Sequence, residues 1–183
     1  MRGFVFFLFV MLFSALMAQS RGTKVALNND TDGFKLIVDG EPFMVKGMNW
    51  DYYPVGTNYT YNLWDESEST IKSILDSEMP LLQKMGVNTL RIYSGIPKQW
   101  ITYIYKNFGL YTVLNHTFGR YGLEVNNDWK QFTDYGNENV KEILLRESIE
   151  MVNQYKDTPG LLLYLLGNEN NYGLYWEQPP IAP

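Results

Sequence analysis

The sequence contains no cysteine and only one histidine, His116, among its 183 residues. Disulfide bonds and thiolate chemistry are therefore excluded for this chain. A single imidazole cannot build a site of several histidines, so we expect no metal and no cofactor. Basic residues are also few, since 15 Lys and Arg stand against 20 Asp and Glu. Nucleic-acid binders usually present a basic face, so we expect no nucleic-acid partner.

Long apolar runs are absent except near the N-terminus. Phe4 to Leu16 is almost entirely apolar, follows Arg2, and leads to the small residues Ala15 and Ala18. The run is shorter than the roughly 20 residues that a membrane span requires. The pattern predicts a signal peptide over residues 1–18, a secreted or periplasmic location, and no membrane span in the mature chain.

Aromatic residues are abundant, at 16% of the chain. Two interpretations stay open. The rings can fill a core, or they can bind carbohydrate, because aromatic faces stack on the apolar faces of sugars. The candidates for a stacking surface are Trp50, Tyr52, Tyr53, Tyr59 and Tyr61.

Short apolar runs alternate with segments of helical periodicity. After a polar leader over residues 19–33, Asp39-Gly40 predicts a β-hairpin turn between Phe34–Val38 and Phe43–Val45. Pro80 predicts a kink, or two helical pieces, in the first helix. The alternation predicts an α/β fold with a parallel sheet. The predicted helices are Glu66–Met85, Pro97–Asn107 and Asn139–Tyr155, and the later strands are Thr89–Tyr93, Leu110–Asn115 and Leu161–Leu166.

Polar or aromatic residues stand at the end of every predicted strand. Active sites of parallel barrels lie at the carboxyl ends of the strands, which favours a functional interpretation. Turns, caps and surface ion pairs are the structural alternatives for each of them. Glu169 is the strongest candidate, because a carboxyl group directly after a buried strand is suited to general acid catalysis. The strand-end residues are Asn49, Trp50, Arg91, Tyr93, Asn115, His116, Asn168 and Glu169.

Three stretches resemble retaining glycoside hydrolases built on (β/α)8 barrels. They are Gly40–Asn49 (GEPFMVKGMN), Pro80–Tyr93 (PLLQKMGVNTLRIY) and Gly167–Glu169 (GNE). The chain is most similar to catalytic domains of glycoside hydrolase family 2, and its Arg-Ile-Tyr strand resembles family 72 β-1,3-glucanosyltransferases. The resemblance implies a (β/α)8 TIM barrel, of which residues 34–183 hold about the first four β/α units after a short hairpin.

The resemblance also implies roles for individual residues. Glu169 matches the general acid/base, and Asn168 matches an asparagine that contacts the sugar 2-hydroxyl. Arg91 matches an arginine that keeps the nucleophile ionised, and His116 matches a substrate-contacting position. Further candidates for substrate binding at the strand ends are Tyr93, Asn49 and Trp50.

The nucleophile of that family is a second glutamate on the seventh strand, and this chain has no match for it. Retaining enzymes hold the two carboxyl groups about 5–5.5 Å apart. Glu124, Glu138 and Glu177 fall in predicted loops or at a helix start, which suits none of them to this role. The resemblance therefore predicts a truncated copy that is inactive alone.

These observations predict a glycoside hydrolase that acts on a β-linked oligo- or polysaccharide. A β-glucan transglycosylase and a non-catalytic carbohydrate-binding half-barrel are the alternatives. A flavodoxin-type domain is a third hypothesis, and it requires a glycine-rich phosphate loop after the first strand. Lys46 to Gly56 contains no such loop.

Overall fold

The computed structural model describes residues 22–93 and 95–170, so the predicted signal peptide and Glu177 lie outside the described residues. None of the described helices is both long enough and apolar enough to cross a membrane. The elements in chain order are β1 (Val25–Asp30), β2 (Gly33–Val38), β3 (Glu41–Pro42), β4 (Gly47–Asn49), α1 (Glu68–Lys84), β5 (Thr89–Tyr93), α2 (Lys98–Phe108), β6 (Tyr111–His116), β7 (Leu123–Val125), β8 (Asp128–Lys130), α3 (Glu138–Tyr155) and β9 (Leu161–Leu166).

The central sheet is parallel, with strands in the order β4, β5, β6 and β9. Asn49 is in register with Arg91, and Tyr93 with Asn115. Each strand is separated from the next in the sheet by one helix, so all carboxyl ends meet at one edge. The predicted α/β fold with a parallel sheet is confirmed.

The three helices cover one face of this sheet. Side chains of β5 and β6 alternate, so Leu90, Ile92 and Leu114 point toward the helices and are buried there. Because helix α1 presents its apolar face at three- and four-residue spacing, it is held against this layer. The helical residues buried in the same core are Ile71, Leu75, Met79, Leu82, Trp100, Ile101, Ile104, Met151 and Tyr155.

Helix α1 is a single helix that contains Pro80, so the prediction of two helical pieces is wrong. Proline removes one backbone donor, but the buried side chains on both sides of it, Met79 and Leu82, hold the helix on the sheet. The Ser67 hydroxyl accepts a hydrogen bond from the Thr70 amide at the start of the helix. Gly86 follows its end with φ +81°, a left-handed conformation that glycine commonly adopts after a helix.

An antiparallel sheet of β1, β2 and β3 covers part of the opposite face. Its β2–β3 turn is the predicted Asp39-Gly40, with φ of +50° and +96°. The second hairpin strand is Glu41–Pro42, however, and not Phe43–Val45. Val38 packs with Val113 and Leu162 of the central sheet.

Part of the predicted leader over residues 19–33 is also strand, because Val25–Asp30 form β1 and pair with β2 along its full length. All side chains of β1 are exposed, so this strand is held by backbone hydrogen bonds at the edge of its sheet. Because no face of β1 is buried, its sequence VALNND shows no alternation of apolar and polar residues, and this is why it resembles a leader.

A groove of about 560 Å³ runs beside β9. Its lining includes Ile149 and Val152 of α3 and Leu166 of β9. Within the described residues β9 has one hydrogen-bonded neighbour, β6, so its other edge is open. This is the side on which a larger barrel would add its next strand.

Candidate functional site

The guanidinium group of Arg91 joins three strands at the carboxyl edge of the sheet. Its Nε and Nη2 both donate to Oδ1 of Asn115, with an Nε distance of 3.1 Å. Nη2 also donates to Oδ1 of Asn168 at 2.8 Å. These residues belong to β5, to β6 and to the turn after β9, which are neighbours in the sheet. Two of the predicted site residues, Arg91 and Asn168, are thus in direct contact.

Asn115 is the buried centre of this group. Its side chain has no solvent exposure, and its Nδ2 donates to the His116 carbonyl oxygen at 3.1 Å. Arg91 therefore supplies the donors that its buried oxygen needs. The guanidinium carbon of Arg91 lies 5.4 Å from the ring centre of Tyr93, which adds a cation–π contact. Arg91 and Tyr93 point to the side of the sheet away from the helices.

Glu169 lies in a tight turn directly after β9. Gly167 has φ +119° and Glu169 has φ +51°, a left-handed conformation that costs a non-glycine residue roughly 1–2 kcal/mol. The side chain is exposed, and its carboxylate makes no hydrogen bond or ion pair within residues 22–93 and 95–170. Glu169 stays a candidate for the general acid/base.

His116 faces the other side of the sheet. Its Nδ1 accepts a hydrogen bond from the Phe118 amide at 3.0 Å, and its Nε2 lies 3.7 Å from Oε2 of Glu147 on α3. Neighbouring residues of a strand point in opposite directions, so His116 and Asn115 cannot both face the site. The predicted substrate contact of His116 is not supported, since both ring nitrogens face protein atoms.

Trp50 and Asn49 follow one another at the end of β4 but differ in exposure. The Trp50 side chain is 7% exposed, packs in the core, and lies 6.3 Å from the Trp64 ring. Its burial counts against the predicted stacking on sugar and favours a packing role. Asn49 is exposed and lines a cleft of about 400 Å³ together with Arg91 and Thr89. It stays a candidate for substrate binding.

The loop after β4 does expose some of its tyrosines. Tyr59 is 85% exposed and Tyr53 is 44% exposed. The Tyr53 hydroxyl donates to Asp51 at 3.0 Å, and this hydrogen bond is the main cause that raises the pKa of Tyr53. Tyr52 and Tyr61 pack on each other, with ring centres 6.4 Å apart. Tyr52 and Tyr61 therefore fit the packing interpretation, whereas Tyr53 and Tyr59 stay candidates for stacking on sugar.

The structure gives no support to Glu124 or Glu138, the two described glutamates considered for the nucleophile. Glu124 lies in the middle of β7, and Glu138 starts α3. Glu138 forms a surface ion pair with Lys141 at 2.8 Å. Neither contacts Arg91, Asn115 or Asn168 among the described hydrogen bonds and ion pairs.

One residue of the site was absent from the sequence prediction. The Asn170 carboxamide contacts the Asn168 amide, the carbonyl groups of Thr117 and Phe118, and the Tyr135 hydroxyl. Asparagine side chains often hydrogen-bond to nearby backbone groups in turns, so the sequence could have suggested a turn at Asn170. Its contacts with 117–118 and Tyr135 are distant in sequence and could not be read from it.

Comparison with known proteins also points to glycan-active enzymes. No family model matches the chain. A probable 1,3-β-glucanosyltransferase of Saccharomyces cerevisiae is 30% identical over 138 residues, which is 72% of this chain. The chain resembles glycan-active enzymes. This chain spans 24% of that relative's length, so the match does not assign the relative's activity to this chain.

Solved structures show the same fold at lower identity. A β-glucuronidase of Bacteroides uniformis covers 81% of the chain at 20% identity with a TM-score of 0.52, and the chain covers 16% of it. A β-glucuronidase of Parabacteroides merdae covers 83% at 18% identity with a TM-score of 0.51, again over 16% of its own length. The predicted resemblance to glycoside hydrolases of family 2 and family 72 type is confirmed.

Replacing Arg91 with methionine is expected to lower the free energy of unfolding by roughly 1–3 kcal/mol, because the buried oxygen of Asn115 loses its donors. The double variant Arg91→Met with Asn115→Leu should recover part of this loss, since it removes both polar partners. Urea denaturation of each variant measures the change. Arg146→Met, at an exposed position on α3, is the control and should stay within about 0.5 kcal/mol. Equal losses in the single and double variants would contradict the interpretation.

Proposed function

We propose that this chain is the part of a retaining (β/α)8-barrel glycoside hydrolase that carries its general acid/base, Glu169. The barrel would begin with the four parallel strands described here. Residues 1–18 would direct the protein to a secreted or periplasmic location. The nucleophile would come from a later strand of such a barrel.

The observation that carries the proposal is the Arg91 guanidinium held on Asn115 and on Asn168, the residue that precedes Glu169 in the chain. A fixed positive charge and an amide at this edge of the parallel sheet, with Glu169 following in the same turn, support the proposal. A positive charge there would favour an ionised nucleophile on the neighbouring side of the site. The amide of Asn168 offers its Nδ2 to a sugar hydroxyl, because its oxygen already accepts from Arg91.

The substrate we propose is a β-linked glycan. The yeast relative is named for transfer on a 1,3-β-glucan, and the solved structures are named for β-glucuronides. Hydrolysis and transglycosylation share the glycosyl-enzyme intermediate and differ in whether water or a sugar hydroxyl attacks it. Transglycosylation on a β-glucan is therefore the closest alternative activity.

A non-catalytic carbohydrate-binding role is the second candidate. The exposed rings of Tyr53 and Tyr59 favour it, since a stacking surface needs no second carboxylate. The two candidates make the same prediction for binding and differ only in whether Glu169 is needed for bond cleavage.

Titration of the chain without residues 1–18 tests the shared prediction. We expect β-1,3-linked gluco-oligosaccharides to bind in calorimetry, and α-1,4-linked malto-oligosaccharides of the same length to give no heat. Asn49→Ala should weaken binding about 5–10-fold by removing one hydrogen bond from the cleft. Asn107→Ala on α2 is the matched control, since among the described residues the Asn107 side chain bonds only to the Tyr103 carbonyl oxygen, and the variant should have no effect on binding. Equal heats with both sugars would contradict the preference for β-linked glycans, and no heat with either would contradict glycan binding.

A further inference from the structure

We propose that Asn170 is a positioning residue that holds Asn168 and Glu169 in their places at the mouth of the sheet. The inference rests on the proposed function only for its catalytic meaning. The arrangement of the turn is a separate statement about the conformation of residues 167–169.

The Asn170 side chain is bonded at both ends. Its Oδ1 accepts from the Asn168 amide at 2.7 Å, so it closes a small ring around the turn. Its Nδ2 lies 2.8 Å from the Phe118 carbonyl oxygen and 2.7 Å from the Tyr135 hydroxyl. One carboxamide thus ties the turn after β9 to the loop after β6.

The anchor for this carboxamide is itself rigid. The Tyr135 hydroxyl donates to the Phe118 carbonyl oxygen at 2.9 Å. The two rings are stacked, with centres 6.3 Å apart and planes 12° apart. Asn170 therefore bonds to a packed surface, and that surface can determine where the turn lies.

Gly167 leaves space for the Asn170 carboxamide. A Cβ on Gly167 would overlap Oδ1 of Asn170, so only glycine admits the carboxamide at this place. The positive φ of Glu169 is a strained conformation that persists only where surrounding contacts impose it. Asn170, the next residue along the chain, holds the Asn168 amide, while the Gly167 amide donates to the His116 carbonyl oxygen at 3.0 Å and Arg91 donates to the Asn168 side chain.

The Asn170 carboxamide is connected to the site through Asn168. The Asn168 backbone is held by Asn170, and its side chain accepts from Arg91 at 2.8 Å. If the turn moves, the Arg91 contact and the direction of the Glu169 side chain must change with it. A displacement of about 1 Å at a catalytic group is enough to lower a rate by about 100-fold.

The first test is spectroscopic and uses the chain itself. In Asn170→Ala we expect the one-bond Cα–Hα coupling of Glu169 to change toward that of a negative φ, and the Arg91 Nε–H signal to shift. Tyr135→Phe, which removes one partner of the carboxamide, should give smaller shifts of the same signals. Asn170→Ser keeps an acceptor for the Asn168 amide and should restore part of the native pattern. Asn107→Ala is the control and should leave these signals unchanged.

The second test measures activity on β-glycosides in the complete polypeptide that contains this chain. Asn170→Ala should lower kcat about 10- to 100-fold and change KM less than about 3-fold, because substrate still binds while the acid/base is misplaced. Asn170→Ser should recover part of kcat. A raised KM with unchanged kcat, or native signals at residues 167–169 in Asn170→Ala, would overturn the inference. If the unaltered protein cleaves no β-glycoside, the proposed function fails, and the spectroscopic result still decides the role of Asn170.

Discussion

Under the proposed function, replacing Glu169 with alanine in a complete barrel is expected to slow hydrolysis of unactivated β-glycosides by about 100- to 10,000-fold, the usual contribution of a general acid/base. A nitrophenyl glycoside needs little protonation of its leaving group, so formation of its glycosyl-enzyme should be slowed far less. Breakdown of that intermediate still needs a base. Single-turnover and steady-state rates on both substrate types therefore separate the two steps.

Added azide sharpens this experiment. Azide attacks the glycosyl-enzyme without a base, so it should restore the second step in Glu169→Ala and yield a glycosyl azide of retained β configuration. Glu124→Ala in the β7–β8 hairpin is the matched control, since it removes an exposed carboxylate that lies outside the site. If rates on both substrates fall together without azide rescue, Glu169 is not the general acid/base and only stabilises its turn.

The α/β order could be predicted because burial imposes a period on each element. Thr89–Tyr93 and Leu161–Leu166 have the predicted bounds, since their apolar runs are closed by glycine or polar residues. Helix α3 starts one residue before its predicted start and ends at the predicted Tyr155. These elements contact the core on at least one face, so the core determines which side chains they carry.

The elements that were not predicted are exposed or very short. Strand β1 is exposed throughout, and the β7–β8 hairpin has only 3 residues in each strand. The hairpin turn, Asn126-Asn127, has φ of +54° and +61°. Asparagine tolerates this conformation, so the pair was a usable signal between two short strands. Its inner residues, Leu123 and Val125, pack on Val140 and Leu144 of α3.

The site was predicted in position but not in detail. Strand ends meet at one edge, and this brought Arg91 and Asn168 into contact as expected. Strand alternation puts His116 and Asn115 on opposite faces of the sheet, because the two are neighbours, and this much could be read from the sequence. The role of Asn170 depends on contacts with residues 35 to 53 positions away, which a sequence pattern does not contain.

Gly160→Ala is expected to destabilise the chain by roughly 3–4 kcal/mol, the largest loss of stability that we predict for a single methyl group. Gly160 precedes β9 with φ +89°, and it lies under helix α2. A Cβ there would overlap the Cβ of Tyr105 and lie 3.3 Å from the Ile101 carbonyl oxygen. Backbone and helix would both have to move, because neither contact is the end of a flexible side chain.

Gly86→Ala separates the two causes of this loss. Gly86 has a similar φ of +81°, but a Cβ there would meet nothing within 4 Å. It should cost only the roughly 1 kcal/mol that a left-handed conformation demands of alanine. The difference between the two variants in urea denaturation is then the steric cost of packing α2 against the start of β9. If both variants lose the same stability, α2 does not pack on Gly160 in solution as closely as described here. Gly160→Ala would then also leave unchanged the register of β9 on β6, on which the position of Glu169 depends.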